Sequence, residues 1–400
     1  MVIPTINQDI KRKVIGQGTY GCIIKPAYTK TEKIKQSSIS KIGLIDETNE
    51  NEVKIGEKIR KIPKYKFFFS PIIKSAPLYL HSTKQIETQD CHLVLKNEER
   101  HPSSEKPEGN KYNVHTMDYV GKYRLEEHFI ELLKTKPIHY IHEHLIQCHI
   151  HLLKAFIQLK KANIIHFDLN SGNVMVSDKR QTPILIDFGL SFEANEKGIS
   201  LKRSDTPFFN YSSDFNPWCI DITVISYYVQ TKNELLHEIT VNSKELLILV
   251  DAQLQANGNI FSKYMNEDQR SSYKNNMVTY FNSWNGKSAM ELYQDLYKAR
   301  FTWDNYAGAL LMLKLVKNME LHSPFIDSYK SLLIETLTAT PNKRMDAESL
   351  QTRIDALPRT SRLHGQKRLN MKKKANLSRK IKSIQASIND AKSQNRLLAK

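Results

Sequence analysis

Four hundred residues with 40% hydrophobic and 25% charged side chains describe a chain long enough for two or three packed units, which excludes disorder throughout. The formal charge of +17 gathers anions, so nucleic acid, anionic membrane and phosphate-bearing partners are the classes it brings forward. Four cysteines (Cys22, Cys91, Cys148 and Cys219), none in a C-x-x-C pair, indicate neither a disulfide framework nor a cysteine zinc site and predict a reducing, intracellular setting.

The first residues, MVIPTINQDIKRKVIG, lack the apolar stretch of a secretory signal, and no cleaved leader is expected. Residues 12 to 45 read as β-rich: KVIGQGTYGCIIKPAY is a hairpin with glycines at its bend, and SSISKIGL alternates like another strand. Asp46 is a plausible N-cap for DETNENEVKIGEKIRKI, with acidic residues in the first turn, basic ones in the last and Pro63 as the stop. SPIIKSAPLYL, CHLVLKN and YNVHTMDYV are further strand-like pieces around a loop from Glu98 to Asn110.

After Gly121 the pattern turns helical, with Leu145, Leu152, Phe156 and Leu159 at 3.6-residue spacing. NIIHFDLNSGNVMVSD and TPILIDFGLS then read as strand, loop, strand, loop. From Pro217 onward the chain is mainly helical, with an Asn-rich portion near residues 255 to 290 read as an insertion or mobile surface. The longest helical apolar run, Tyr306 to Val316, is broken by Lys314 and is far shorter than the roughly 20 residues that span a bilayer, so no transmembrane segment is expected.

Gly16, Gly18 and Gly21 form G-x-G-x-x-G, a spacing shared with helix-opening dinucleotide loops and with plain hairpin turns. Here β-like runs flank it, so backbone N–H groups at the bend can approach phosphate oxygens with no Cβ in the way. Further on, H-F-D-L-N-S-G-N places Asp168 five residues before Asn173, and I-D-F-G places Asp187 fourteen residues after Asn173. A carboxylate at Asp168 can take or orient a hydroxyl proton, while Asn173 and Asp187 offer hard oxygen ligands to Mg²⁺ on a polyphosphate.

With these motifs in this order the chain resembles the eukaryotic protein kinase superfamily over roughly residues 14 to 350. The resemblance implies an α+β, two-lobed fold: a small β-rich lobe over residues 1–120, a larger helical lobe over 121–357, and ATP with Mg²⁺ in the cleft. It also implies that Gly16, Gly18 and Gly21 cover the ATP phosphates, that Ile15 and Ile23 clasp the adenine, and that Lys41 holds the α and β phosphates with Glu52 as its helix partner. Strand alternation, with Ile39 and Lys41 on one face, favours Lys41 over Lys35; Glu50 and Glu57 are rivals to Glu52. MDYVG resembles the hinge, with Met117 as gatekeeper and the backbone of Asp118 and Val120 bonding the adenine edge. Asp168 becomes the catalytic base, and Asn173 and Asp187 the metal ligands. CIDITVIS is similar to the central helix whose aspartate, Asp221, braces the catalytic loop, and LTATPNKRMDAESL to the segment whose arginine, Arg344, buries an ion pair.

Three departures stand out. Asn170 occupies the place of the lysine usual in serine/threonine kinases, and Phe167 that of an arginine which receives an activation-loop phosphate, so competence without such phosphorylation is expected. No A-P-E follows the D-F-G, which leaves Arg344 in need of another carboxylate, with Asp214 as the candidate. A short activation segment of this kind resembles atypical kinases and some encoded by large DNA viruses.

The expected activity is phosphoryl transfer from ATP to a protein serine or threonine. The alternatives are a small-molecule phosphotransferase, since H-x-D-L-x-x-G-N also resembles aminoglycoside and choline phosphotransferases, and a non-catalytic scaffold with a kinase fold. The histidines of HYIHEHLIQCHIH suggest a metal, but His142 and His149, seven apart on one face, are too far separated for one ion. Residues 358 to 400 carry thirteen Lys or Arg against Asp390 alone, which is +12 of the total +17. Leu377, Ile381, Ile384 and Ile388 give this tail the seam of a basic amphipathic helix. It binds nucleic acid or another polyanion, attaches to an acidic membrane, or packs on the body as a solvated tail.

Overall fold

A computed structural model describes residues 13–18, 21–27, 37–78, 91, 112–195, 207–210, 217–232, 236–256 and 264–357. The basic tail, Lys35, Asp214 and most of the expected CHLVLKN strand lie outside them. The protein is α+β, with an antiparallel five-stranded sheet in its N-terminal part and a mostly helical C-terminal part. It divides into two units: the described residues up to 121 together with 186–189, and those of 122–185 and 190–357.

In the first unit, β1 (Lys13–Gly18), β2 (Gly21–Lys25), β3 (Ser38–Leu44), β4 (Lys74–Leu78) and β5 (Tyr112–Asp118) form a sheet in the order β1-β2-β3-β5-β4. Antiparallel register and the two-residue alternation of strands sort the side chains onto two faces. One face carries Cys22, Ile24, Ile42, Val114, Leu78 and Tyr112 in a buried cluster, each large apolar side chain contributing about 1.5–3 kcal/mol by leaving water. On the other face Ile23 pairs with Lys41 and Lys41 with His115, a row that carries the charge.

Cys91 joins the buried cluster and is disulfide-bonded to Cys22, with 5.8 Å between the Cα atoms. This corrects the expectation of no disulfide. The partners are 69 residues apart, so no local spacing announces them; packing in the buried cluster brings them together. Cys148 and Cys219 are free and buried.

α1 (Glu47–Ile59) starts where expected, the Asp46 carboxylate accepting from the Asn49 N–H at 2.8 Å. Capping of this kind contributes about 1 kcal/mol. Its inward stripe is Asn49, Glu52, Ile55, Gly56 and Ile59, so one carboxylate rides on an otherwise core-facing surface.

The second unit is built from α2 (Leu125–Thr135), α3 (Ile138–Lys161), α4 (Ile220–Lys232), α5 (Ser243–Ala256), α6 (Glu267–Asn282), α7 (Ala289–Lys298), α8 (Trp303–Met319), α9 (Pro324–Thr338) and α10 (Ala347–Asp355). Two short antiparallel pairs accompany them: β6 (Ile164–Ile165) with β9 (Phe192–Glu193), and β7 (Val174–Val176) with β8 (Pro183–Leu185). Within the Asn-rich stretch read as an insertion, residues 267–282 form α6, capped reciprocally by Asn266 and Gln269 and anchored by Tyr273, Met277 and Phe281. That i, i+4, i+8 stripe is masked by the polar residues around it. Among the described residues no helix is long and apolar enough to cross a membrane.

α8 is buried almost all round, which places it at the centre of its unit. It carries Asp304 in its first turn, a residue that none of the motifs along the chain includes.

Candidate active site

Two groups of side chains gather the residues singled out by sequence, one in each unit.

In the first unit Lys41 Nζ lies 2.7 Å from Glu52 Oε2 and 3.3 Å from Asp187 Oδ1. Lys41 and Glu52 are buried, whereas the Asp187 side chain keeps 35% of its exposure, leaving a carboxylate edge open to a ligand. Burial works against the Lys41 charge, but attraction from Glu52 and then Asp187 outweighs it, and its pKa stands above the ordinary lysine value. Burial likewise pushes the Glu52 carboxyl up, opposed by the same ammonium. Glu50 and Glu57, the rivals, are exposed. The Asp187–Gly189 segment is held against α1: Asn51 Nδ2 donates to the Gly189 carbonyl at 2.8 Å, and Phe188 packs edge-on against Phe69. Asp187 itself sits at φ +62, in the left-handed region that non-glycine residues rarely adopt, so its carboxylate is aimed by a strained backbone.

The glycine hairpin joins the same sheet. Gly16 pairs with Ile23 and Gly18 with Gly21, while Ile15 falls at an irregularity in the register and is 50% exposed. The glycines are not equivalent. A Cβ on Gly21 would lie 2.4 Å from the Ile42 carbonyl oxygen, whereas one on Gly16 would meet nothing nearer than 3.7 Å. Gly21→Ala is therefore expected to lower the thermal midpoint by several degrees, the shift that about 1 kcal/mol produces, while Gly16→Ala leaves it within error. Equal melting of the two variants in a calorimeter would refute the distinction.

At the expected hinge, Met117 is buried and Val120 half-buried. The Asp118 carbonyl accepts from Ser70 Oγ at 3.0 Å, and its carboxylate meets Lys66 at 2.8 Å. One lone pair of that carbonyl is thus engaged from within the protein.

In the second unit the loop after β6 presents Asp168. Asn173 Nδ2 donates to Asp168 Oδ2 at 2.8 Å and Asn170 Nδ2 to Asp168 Oδ1 at 2.9 Å. Phe167 precedes it at φ +67, and its backbone is clamped at both ends: its N–H donates to Asp304 Oδ1 at 2.9 Å, and its carbonyl accepts from Trp218 Nε1 at 2.7 Å. The His166 N–H donates to Asp304 Oδ2 at 2.8 Å. Burial raises the Asp304 pKa, and His166 with the two N–H groups opposes that rise. The Phe167 ring packs among Phe192, Phe208, Trp218 and Trp303 at centroid distances of 5.0–6.4 Å.

These contacts correct two expectations. The loop is braced by Asp304, not by Asp221, whose carboxylate instead receives Arg344 Nη2 at 2.8 Å, Arg344 Nη1 at 3.0 Å and Trp303 Nε1 at 3.0 Å. Asp221 is accordingly the carboxylate that Arg344 was expected to find elsewhere. The signal for Asp304 was a lone acidic residue in the first turn of a helix that goes on through the apolar run Tyr306 to Leu313.

Asp221→Ala is expected to destabilise the protein by about 3–5 kcal/mol, because it strands a guanidinium that cannot lose its proton in a fully buried place. Replacing both Asp221 and Arg344 with apolar residues should recover much of that loss. Urea titrations showing the single variant within 1 kcal/mol of wild type would contradict this account.

The histidine-rich stretch lies on α3 and its side chains diverge. His144 Nε2 and His128 Nε2 share a hydrogen bond of 2.9 Å, and His149 Nδ1 meets the Tyr329 hydroxyl at 2.7 Å. No protein-family model matches the chain, and no curated protein matches it.

Proposed function

We propose that this protein is an ATP-dependent phosphotransferase of the protein-kinase type, acting on serine or threonine hydroxyls of a protein. The observation that carries this is the Lys41–Glu52–Asp187 triad, a buried, charged lysine held between a buried and a part-exposed carboxylate. A structural ion pair has no need of a third, part-exposed acid; a lysine that grips phosphate oxygens beside a metal ligand does.

Lys41 is assigned the α and β phosphates, the backbone at Gly16, Gly18 and Gly21 the cover over them, and the backbone of Asp118 and Val120 the adenine edge, with Ile15 and Ile23 against its faces. Asp187 and Asn173 would hold Mg²⁺. Their chemistry fits: Asn173 spends its Nδ2 on Asp168, so its amide oxygen would be the atom offered to a metal, and Asp187 has one oxygen not bonded to Lys41. Bound Mg²⁺ would supply neutralisation of phosphate charge.

Asp168 accepts the proton of the acceptor hydroxyl as its oxygen bonds to the γ phosphorus; the bond from that phosphorus to the β,γ-bridging oxygen breaks, and ADP leaves with the electron pair. Mg-ATP turnover by the wild-type protein beside Asp168→Ala, with labelled ATP and both protein and small-molecule acceptors, tests the assignment.

A further inference from the structure

We propose that Asn170 is a positioning residue for Asp168: it fixes the plane of the carboxylate through a neutral hydrogen bond in a loop, Asp168–Asn173, that contains no lysine or arginine. This rests on the phosphotransfer function proposed above.

The orientation of the Asn170 amide follows from its neighbours. The Gly172 N–H points at Asn170 Oδ1 from 2.7 Å, so that end of the amide must be the acceptor and the NH₂ end must face Asp168. There Nδ2 lies 2.9 Å from Oδ1 of the carboxylate and 3.2 Å from the Asp168 carbonyl. Asn173 holds the other carboxylate oxygen. One donor leaves a carboxylate free to swing about its Cβ–Cγ bond; two donors, one on each oxygen, define its plane. Gly172 belongs to the same device, since a Cβ there would press on Asn170 Oδ1 at 2.8 Å.

A simpler role exists for Asn170, as N-cap of the short turn Ser171–Asn173. Aspartate caps as well as asparagine does. Asn170→Asp therefore separates the two roles, because it keeps the acceptor for Gly172 and replaces the donor facing Asp168 with a second carboxylate.

The experiment measures Mg-ATP turnover against pH for wild type, Asn170→Asp and Gly172→Ala, with thermal midpoints of all three. Asn170→Asp is expected to melt with wild type, to keep KM for ATP within about twofold, and to lose about tenfold or more in kcat. The acid limb of its kcat/KM profile should move up by about one pH unit, as two adjacent carboxylates share a proton. Gly172→Ala, which displaces the same amide without adding charge, should lower kcat and leave the acid limb in place. Asn170→Asp with the kcat and pH profile of wild type overturns the proposal, as does a loss of activity that tracks a lowered midpoint with the profile unmoved. Absence of turnover in wild type overturns both this and the proposed function, whereas turnover lost in Asp168→Ala but kept in Asn170→Asp overturns this inference alone.

Discussion

Asp168→Ala is expected to lower Mg-ATP turnover by about 10²- to 10⁴-fold, the range that a positioned general base supplies. The carboxylate is held on both oxygens by amide donors, and the residue before it is pinned through its N–H, its carbonyl and its ring. Holding Phe167 in the left-handed region costs on the order of 1–2 kcal/mol, which the surrounding contacts offset. The loss should fall on kcat with KM for ATP little changed, because Asp168 is assigned to the hydroxyl and not to the nucleotide. Asp168→Asn separates proton acceptance from shape: it fills the same volume and should be nearly as impaired. Phosphorylation by Asp168→Ala at the wild-type rate would end the enzyme assignment and leave the kinase-like scaffold as the surviving alternative.

The second large effect is acid lability. Burial, and then the Lys41 charge, lowers the His115 pKa to about 4; burial, and then His144, lowers that of His128 to about 4; burial alone lowers that of His149 to about 3. In the unfolded chain each titrates near its ordinary 6.5. Between pH 6.5 and about 4 the unfolded state binds protons that the native state refuses, so stability is fully present above 6.5 and falls as the pH drops. For wholly buried His115 a difference of that size corresponds to about 3 kcal/mol, and His149 adds a comparable amount, together a large part of a domain's stability. Urea midpoints measured from pH 7.5 to 4.5 should fall steeply below 6.5. His115→Leu should flatten the slope, since neither buried ring nitrogen of His115 has a hydrogen-bond partner among the described residues and leucine loses none there. A midpoint independent of pH over that interval would contradict the assignment.

Local chemistry was legible wherever its cause lies within a few residues. The Asp46 cap, the glycine hairpin and the alternation that sets Ile39 and Lys41 on one face of their strand all follow from short-range geometry. The choice of Glu52 over Glu50 and Glu57 needed only the tertiary fact of which helix face turns inward.

The sequence by itself determined the α+β class, the order of the motifs and the residue types available for chemistry, because turn, cap and alternation preferences act between near neighbours. Only the tertiary structure decided which distant groups meet. Cys22 bonds to Cys91, Asp304 reaches back to His166 and Phe167, and Arg344 takes Asp221, across 69, 138, 137 and 123 residues. A buried charge or thiol accepts any partner of the right chemistry that packing brings within reach, and no spacing along the chain encodes which one that is.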